Sequence, residues 1–339
     1  MSVWKELENV PRLLMEARLA PAQGSRFQPT GFPDIGPAEY TDPEGTPMLL
    51  VESAQSVANR LEAVCWDESA EDLVAPLRGL PYVRVQLPGG RSTSSILEAH
   101  RLNSAYIMRS AEGVSAFSEL EGLGENPGNL RGLAKAVFRY DPGSVLHGVF
   151  LEKMGGGLRL QRALSGSIEA RDVKPVDSGG LKSDRVDPSG KLGGGSSEGY
   201  GHVPFHRREY TAKEIRAYFS LDLALLRGYG LDPAAVDLLT ALALYKIRRF
   251  LSEGLRLRTA CDLQASELTC TRPPGGKIPD LPSLERSVSE GIRACKDQFA
   301  SPPITLVHWS PSSGGRSRRS KASSTEEEEE SDGEDGSGA

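Results

Sequence analysis

Catalytic raw material is scarce in this chain. Its 339 residues include five histidines, four cysteines and three tryptophans, and aromatic side chains make up 6% of the total. Cys65, Cys261, Cys270 and Cys295 stand far apart with no CxxC pair. That spacing argues against a zinc site and against a disulfide framework, and the four read as small core residues. Neither GxxxxGK[ST] nor GxGxxG occurs, so the sequence offers no nucleotide-phosphate cradle. Apolar runs stay well below the roughly 20 residues of a membrane span. Lys5, Glu6 and Glu8 interrupt any leader-like apolar segment around Trp4, so a cytoplasmic protein is the expectation.

The catalytic patterns that do occur lack their context. Gly195-Ser196-Ser197-Glu198-Gly199 matches GxSxG, but a nucleophile elbow needs a strand before it and a helix after it, and this match sits in a glycine-rich stretch. His202 and His206 have helical ligand spacing, yet Pro204 between them disfavours the helix that would aim both rings at one metal. His100, in a predicted helix, and His147, in a predicted strand, read as satisfied structural histidines. Asp184 and Asp187 fall in the same glycine-rich region and read as solvated carboxylates. No catalytic residue, metal ligand or cofactor is assigned.

Charge is present but unevenly placed. The formal net charge is −6, from 40 Lys/Arg against 46 Asp/Glu. Residues 316–339 hold four of the former and eight of the latter, which leaves 36 against 38 elsewhere. A nearly neutral body confines any polyanion site to a local patch. The tail itself, RSRRSK and then EEEEESDGEDG, lacks the apolar residues for a packed core. One domain over 1–310 with a disordered tail over 311–339 is the expected organisation.

Along the body, Leu13 to Leu19 alternates as a half-buried strand, and Tyr82 to Leu87 does the same. Ser95 with Glu98 predicts a capping box for a helix over Ile96 to Ile107, and Asn129 opens a helix ending near Tyr140. Asp141-Pro142-Gly143 reads as a turn before a strand over Val145 to Leu151. Ser167 to Val173 is a strand pattern. The glycine-rich stretch that follows reads as flexible or as a long hairpin. Thr211 with Glu214 predicts a second capping box, with Ile215, Phe219, Leu223 and Leu226 as the buried stripe of a helix. Asp232-Pro233 starts a core helix that Gly254 ends. Leu255 to Leu257 is a strand carrying Arg256 and Arg258, Ser283 to Phe299 a helix, and Ile304 to Trp309 a last strand. The order strand, helix, strand, strand, helix, strand predicts an α+β, ferredoxin-like fold with large insertions.

One stretch organises the rest. Leu49 to Glu62, LLVESAQSVANRLE, reads as a buried strand running into a helix. Leu50, Val57, Ala58 and Leu61 form its apolar stripe, and Ser53, Gln55, Ser56, Asn59 and Arg60 crowd the other face. On periodicity alone the plainer reading is a solvated surface with a serine cap. Before it runs a loop over 20–48 with six prolines from Pro21 to Pro47, and Arg26, Phe27 and Phe32 among them. Loops this long are functional or disordered, and the aromatics argue against disorder.

These two stretches, RFQPTGFPDIG (Arg26 to Gly36) and LLVESAQSVANRLE, closely resemble the backbone subunit of the type I-U (or I-G) CRISPR Cascade, within the RAMP superfamily. The resemblance resumes in GSIEARDVK (Gly166 to Lys174), GYGHVPFHRREYTAKEIRAYF (Gly199 to Phe219) and LYKIRRFLSEGLRLRTACDL (Leu244 to Leu263). It implies an RRM-like palm with finger and thumb insertions, the 174–208 segment being one of them. It implies a non-catalytic scaffold that polymerises along a CRISPR guide RNA and displays it for pairing with target DNA. The implied partners are guide RNA, the target strand through the guide, further copies of the chain, a large subunit and an end-capping, guide-processing RAMP subunit. An endoribonuclease of the same superfamily is the alternative. The residues that fit phosphate contact are Arg26, Gln28, Ser53, Gln55, Ser56, Asn59, Arg60, Arg256 and Arg258, with Lys174, Lys182, Arg207 and Arg208 on the insertion. Mixed amides, hydroxyls and guanidiniums grip a strand without reading its bases.

Overall fold

The computed structural model describes residues 7–32, 35–110, 129–152, 157–191, 198 and 200–311. The basic and acidic tail and the serines of the GxSxG match lie outside the described residues.

In chain order, β1 (Arg12–Pro21) leads through the proline-rich loop to β2 (Glu39–Thr41) and β3 (Pro47–Glu52), and Ser53 then caps α1 (Ala54–Ala63). A hairpin follows, β4 (Tyr82–Leu87) with β5 (Arg91–Ser94), and after it α2 (Ala105–Met108), α3 (Leu130–Tyr140) and α4 (Pro142–His147). The short strands β6 (Val149–Leu151) and β7 (Leu158–Leu160) precede two long ones, β8 (Leu164–Lys182) and β9 (Val203–Asp222). Then come α5 (Leu223–Gly228), α6 (Pro233–Glu253), β10 (Arg256–Arg258), β11 (Cys261–Ala265), β12 (Thr269–Arg272), α7 (Leu281–Ala294) and β13 (Ile304–His308).

An antiparallel sheet in the order β10-β11-β1-β9-β8-β3-β2 forms the centre, with β12 also pairing β1. Alternation decides its faces. Leu13, Met15, Ala17 and Leu19 of β1, Ile168 and Ala170 of β8, and Ile215, Ala217, Phe219 and Leu221 of β9 are all buried. Helices cover that face: Phe250 of α6 meets the Phe219 ring edge-on, with centroids 6.3 Å apart. Gly166 lets α1 approach, because a Cβ there would lie 3.0 Å from Val57 Cγ1 and 2.8 Å from the Phe219 ring. The opposite face carries ion pairs, among them Arg216 with Glu16 at 2.6 Å. A smaller sheet, β13-β4-β5, packs β13 parallel to β4. The architecture is therefore α+β with an antiparallel central sheet and a smaller mixed one, and among the described residues no helix is long and apolar enough to cross a membrane.

Most elements stand where the sequence places them. Asn129 caps α3, Asp232 caps α6 with Pro233 in its first turn, and Gly254 closes α6. Three stretches differ. Thr211 to Leu226 is strand up to Asp222, because pairing with β1 on one side and β8 on the other stabilises the extended chain. The residues Ile215, Ala217, Phe219 and Leu221 satisfy a period of two as well as Ile215, Phe219, Leu223 and Leu226 satisfy the helical one. Ile96 to Ile107 is turns, a short 3-10 segment and only then α2. Ser95 there makes no capping box: its hydroxyl accepts from the Val83 amide, while Thr93 and Ser104 hold Glu98. Finally, Pro142 begins α4 under an Asp141 cap, so His147 lies at a helix end and not in a strand.

The glycine-rich stretch is a hairpin. β8 and β9 keep one register from Leu164↔Leu221 to Lys182↔Val203. On β8 burial alternates as far as Ala170, Val173 is the last buried residue, and pairing with β3 ends at Arg171. Asp184 accepts amide hydrogens from Val186, Asp187 and Gly201 in the loop beyond, which holds its carboxyl below the usual range. Asp187 is buried rather than solvated, and the Ser189 hydroxyl donates to it at 2.9 Å.

Candidate nucleic-acid interface

A corner of the main sheet gathers most of the proposed contact residues. Glu52, the last residue of β3, is fully buried. Arg60 Nη2 donates to its Oε1 at 3.2 Å and to the Leu257 carbonyl at 2.7 Å. Arg258 bonds the same carboxylate oxygen and also donates to the Gln28 carbonyl at 2.7 Å. The Gln28 amide in turn donates to the Ala260 carbonyl at 2.7 Å. One buried carboxylate thus ties the proline-rich loop, α1 and β10 together, and two guanidiniums against one acid leave the corner with net positive charge. Arg256 is exposed on the same strand.

Above this clamp, α1 begins. The Ser53 hydroxyl accepts the Ser56 amide at 3.3 Å, so the capping reading of Ser53 is correct. Gln55 and Asn59 are exposed four residues apart on one side of the helix, Ser56 is half-buried beside them, and no acidic residue occupies the first turn. A helix start without acids keeps its positive end available to anions. Arg162, which no sequence pattern singles out, reaches the same place, with Nη1 donating to the Ala54 carbonyl at 3.1 Å. Burial, with Arg101 nearby, lowers its pKa.

The remaining residues follow the hairpin. Arg26 Nη1 and Arg207 Nη1 lie 3.1 and 3.8 Å from the two oxygens of the buried Glu209. Arg208 Nε donates to Asp177 Oδ1 at 2.8 Å across the two strands, which holds the Asp177 carboxyl below its ordinary range and raises the Arg208 pKa. Lys174 and Lys182 are exposed, opposite Thr211 and Val203. The Tyr210 amide and carbonyl exchange hydrogen bonds with Phe27, docking the proline-rich loop on the hairpin. Burial and a hydrogen bond to Glu39 push the Tyr210 phenol up to about 12.

The set therefore divides. Gln28, Ser53, Gln55, Ser56, Asn59, Arg60, Arg256 and Arg258 share the corner, Arg26 and Arg207 share Glu209, and Lys174, Arg208 and Lys182 are spread along the hairpin. Sequence reasoning missed the acids that position them. Glu52 had a signal, since an acid directly after Leu49, Leu50 and Val51 continues a buried strand. Glu209 and Asp177 had none. Among the histidines, His202 Nδ1 accepts the Asp184 amide at 3.2 Å, and His206 lies 3.8 Å from Asp177. His147 is buried with Nε2 at 3.0 Å from Lys246 Nζ. Among the described residues no three His, Cys, Asp or Glu side chains converge as a metal site.

Residues 13–175 match the family described as CRISPR-associated protein GSU0053. No curated protein matches the chain. Among solved structures, one titled "CRISPR RNA-guided surveillance complex, pre-nicking" is similar at 15% identity and a TM-score of 0.42, with 85% of each chain covered. Csc2 of Thermofilum pendens is similar at 10% identity and a TM-score of 0.31, over 86% of this chain and 79% of that one. The matched residues include Arg26 to Gly36 and Leu49 to Glu62, so the resemblance of those stretches to a CRISPR-associated family is borne out.

Proposed function

We propose that this chain is a non-catalytic, guide-RNA-binding backbone subunit of a Cascade-type CRISPR complex, of the I-U/I-G kind, whose copies polymerise along the guide. One observation carries the reading: an acid-free helix start and exposed amides, which lie inside the segment that matches the CRISPR-associated family, meet a buried clamp of two guanidiniums on one acid at a single corner. Gln55, Ser56 and Asn59 hold phosphate and ribose oxygens at the α1 start. Arg26, Gln28 and Arg256 continue that contact along the loop and β10. Arg60 and Arg258 act mainly by positioning, because Glu52 already engages both.

The central sheet serves as an RRM-like palm. The outer half of the hairpin, with Lys174, Lys182, Arg207 and Arg208, is the thumb or finger that reaches a neighbouring copy and interrupts pairing at intervals. Guide pairing reads the target sequence, while the protein grips backbone and shape. The other Cascade subunits cap and complete the assembly in the cytoplasm.

The test is to express the chain with its partner subunits and a guide, and to measure the RNA that remains bound after purification. Gln55→Glu with Asn59→Asp should reduce guide retention by about tenfold and lower the salt slope of binding by about 0.7 for each phosphate no longer neutralised. Unchanged retention with an unchanged slope would refute the corner as the guide site.

A further inference from the structure

A second cationic feature lies outside the corner just described. Arg131, Lys135 and Arg139 are exposed on α3 at intervals of four residues, so they form one line down the helix. They line a cleft of about 770 Å³ whose opposite wall is the turn from Gly230 to Pro233 at the start of α6. Arg131 Nε donates to the Gly230 carbonyl at 3.0 Å, which fixes that end of the line across the cleft mouth. Gly230 has φ +62, and a Cβ there would meet the Arg131 side chain at 3.0 Å. The Arg139 guanidinium stands 5.9 Å from the Tyr140 ring centroid.

Two acids share the cleft with the three cations. Asp232 caps α6 and accepts the Ala234 amide at 3.0 Å, while Asp297 is exposed across from the helix. The positive end of a 21-residue helix also opens here. Distance separates this cleft from the corner. The cleft lies at the α6 N-terminus and β10 directly follows its C-terminus, so the length of α6, about 30 Å, lies between them.

We infer that this cleft is a second binding site for a nucleic-acid phosphate backbone, distinct from the strand held at the α1 corner. Cations four residues apart on a helix are about 6 Å apart. A stacked strand advances about 3.4 Å per nucleotide, so successive cations meet every second phosphate. The Arg131 guanidinium suits phosphate oxygens, and Lys135 supplies a point charge beside it. The inference rests on the nucleic-acid role proposed above, because that role brings polyanions to this molecule. An acidic peptide is the competing occupant.

The test uses the full chain freed of nucleic acid, titrated with a fluorescent oligothymidylate of about 12 nucleotides. Guide retention in the co-expressed complex is measured in parallel. Lys135→Glu is the first variant, since its side chain is exposed, and Arg131→Gln with Lys135→Gln is the second. Each should weaken oligothymidylate binding by about fivefold to twentyfold and lower the salt slope by about 0.7 for each cation removed, with guide retention unchanged. Unchanged affinity and slope in both variants would overturn the cleft and leave the guide reading intact. Absence of oligothymidylate binding by the unaltered chain would overturn it as well. Loss of guide in the cleft variants would show a single continuous path and overturn the distinct site. Displacement of the oligonucleotide by polyglutamate at equal charge concentration would assign the cleft to an acidic segment and overturn the nucleic-acid assignment.

Discussion

Arg60 and Arg258 meet a carboxylate that water does not reach, whereas Arg208 meets Asp177 on strands open to solvent. The chemistry is the same in both places and the environment is not. Glu52 is fully buried, and the two guanidiniums on it are about three-quarters covered. Asp177 and Arg208 are each about half exposed. In the buried group, removing one member strands charge in a medium that solvates it badly. In the exposed pair, water and salt replace whatever is removed. Residues of one type in one proposed binding surface thus divide into those that build the surface and those that remain on it.

The sharpest way to break this comparison is Glu52→Ala. Two guanidiniums would lose their shared acid, and stability should fall by about 3–5 kcal/mol, seen as a melting temperature lower by on the order of 10 °C. Arg60 and Arg258 would also release the Leu257 and Gln28 carbonyls they hold, loosening the loop against β10. Full retention of the melting temperature would mean that the clamp is not structural and that both arginines are free for a ligand.

A third environment extends the comparison and gives the next largest effect. Lys246 is buried but faces His147, a neutral partner, at 3.0 Å. Burial, then the charges of Lys246, Arg101 and Arg162, hold the His147 pKa well below its ordinary 6.5. Below pH 6.5 the unfolded chain takes up a proton that the folded chain refuses. Stability from this site is therefore present above that pH and is lost as pH falls, by about 1.4 kcal/mol per pH unit until the folded group titrates. Melting curves between about pH 7 and pH 5 should show this slope in the unaltered chain and a shallower one in His147→Gln. Equal slopes would mean that His147 is protonated in the fold.

Legibility in the sequence followed the same division between local and distant causes. Strong caps and clean alternation placed β1, β4, α1, α3 and α6, because each depends on neighbours a few positions away. Thr211 to Leu226 misled because its apolar residues fit both periods, and the deciding factor was hydrogen bonding to two strands distant in the chain. The polar residues of the corner were legible as residue types. Their partners were not: Glu52 and Arg258 are 206 positions apart, and nothing local pairs them. The α3 line of Arg131, Lys135 and Arg139 could have been read from its spacing. Its cleft could not, since the other wall begins at Gly230.

The smallest expected effect sharpens the comparison from its exposed end. Asp177→Asn removes the charge that Arg208 faces but keeps an amide oxygen to accept its hydrogen bond. Both groups are solvated, so the melting temperature should not move measurably, at low or at high salt. If Arg208 contacts RNA as proposed, freeing it from its acid should slightly tighten guide binding and steepen the salt slope, by no more than about 0.7. The buried clamp predicts the reverse combination, large for stability and indirect for RNA. A destabilised Asp177→Asn chain would show that the outer hairpin depends on its cross-strand ion pair, and the distinction between residues that build the surface and residues that bind through it would fail there first.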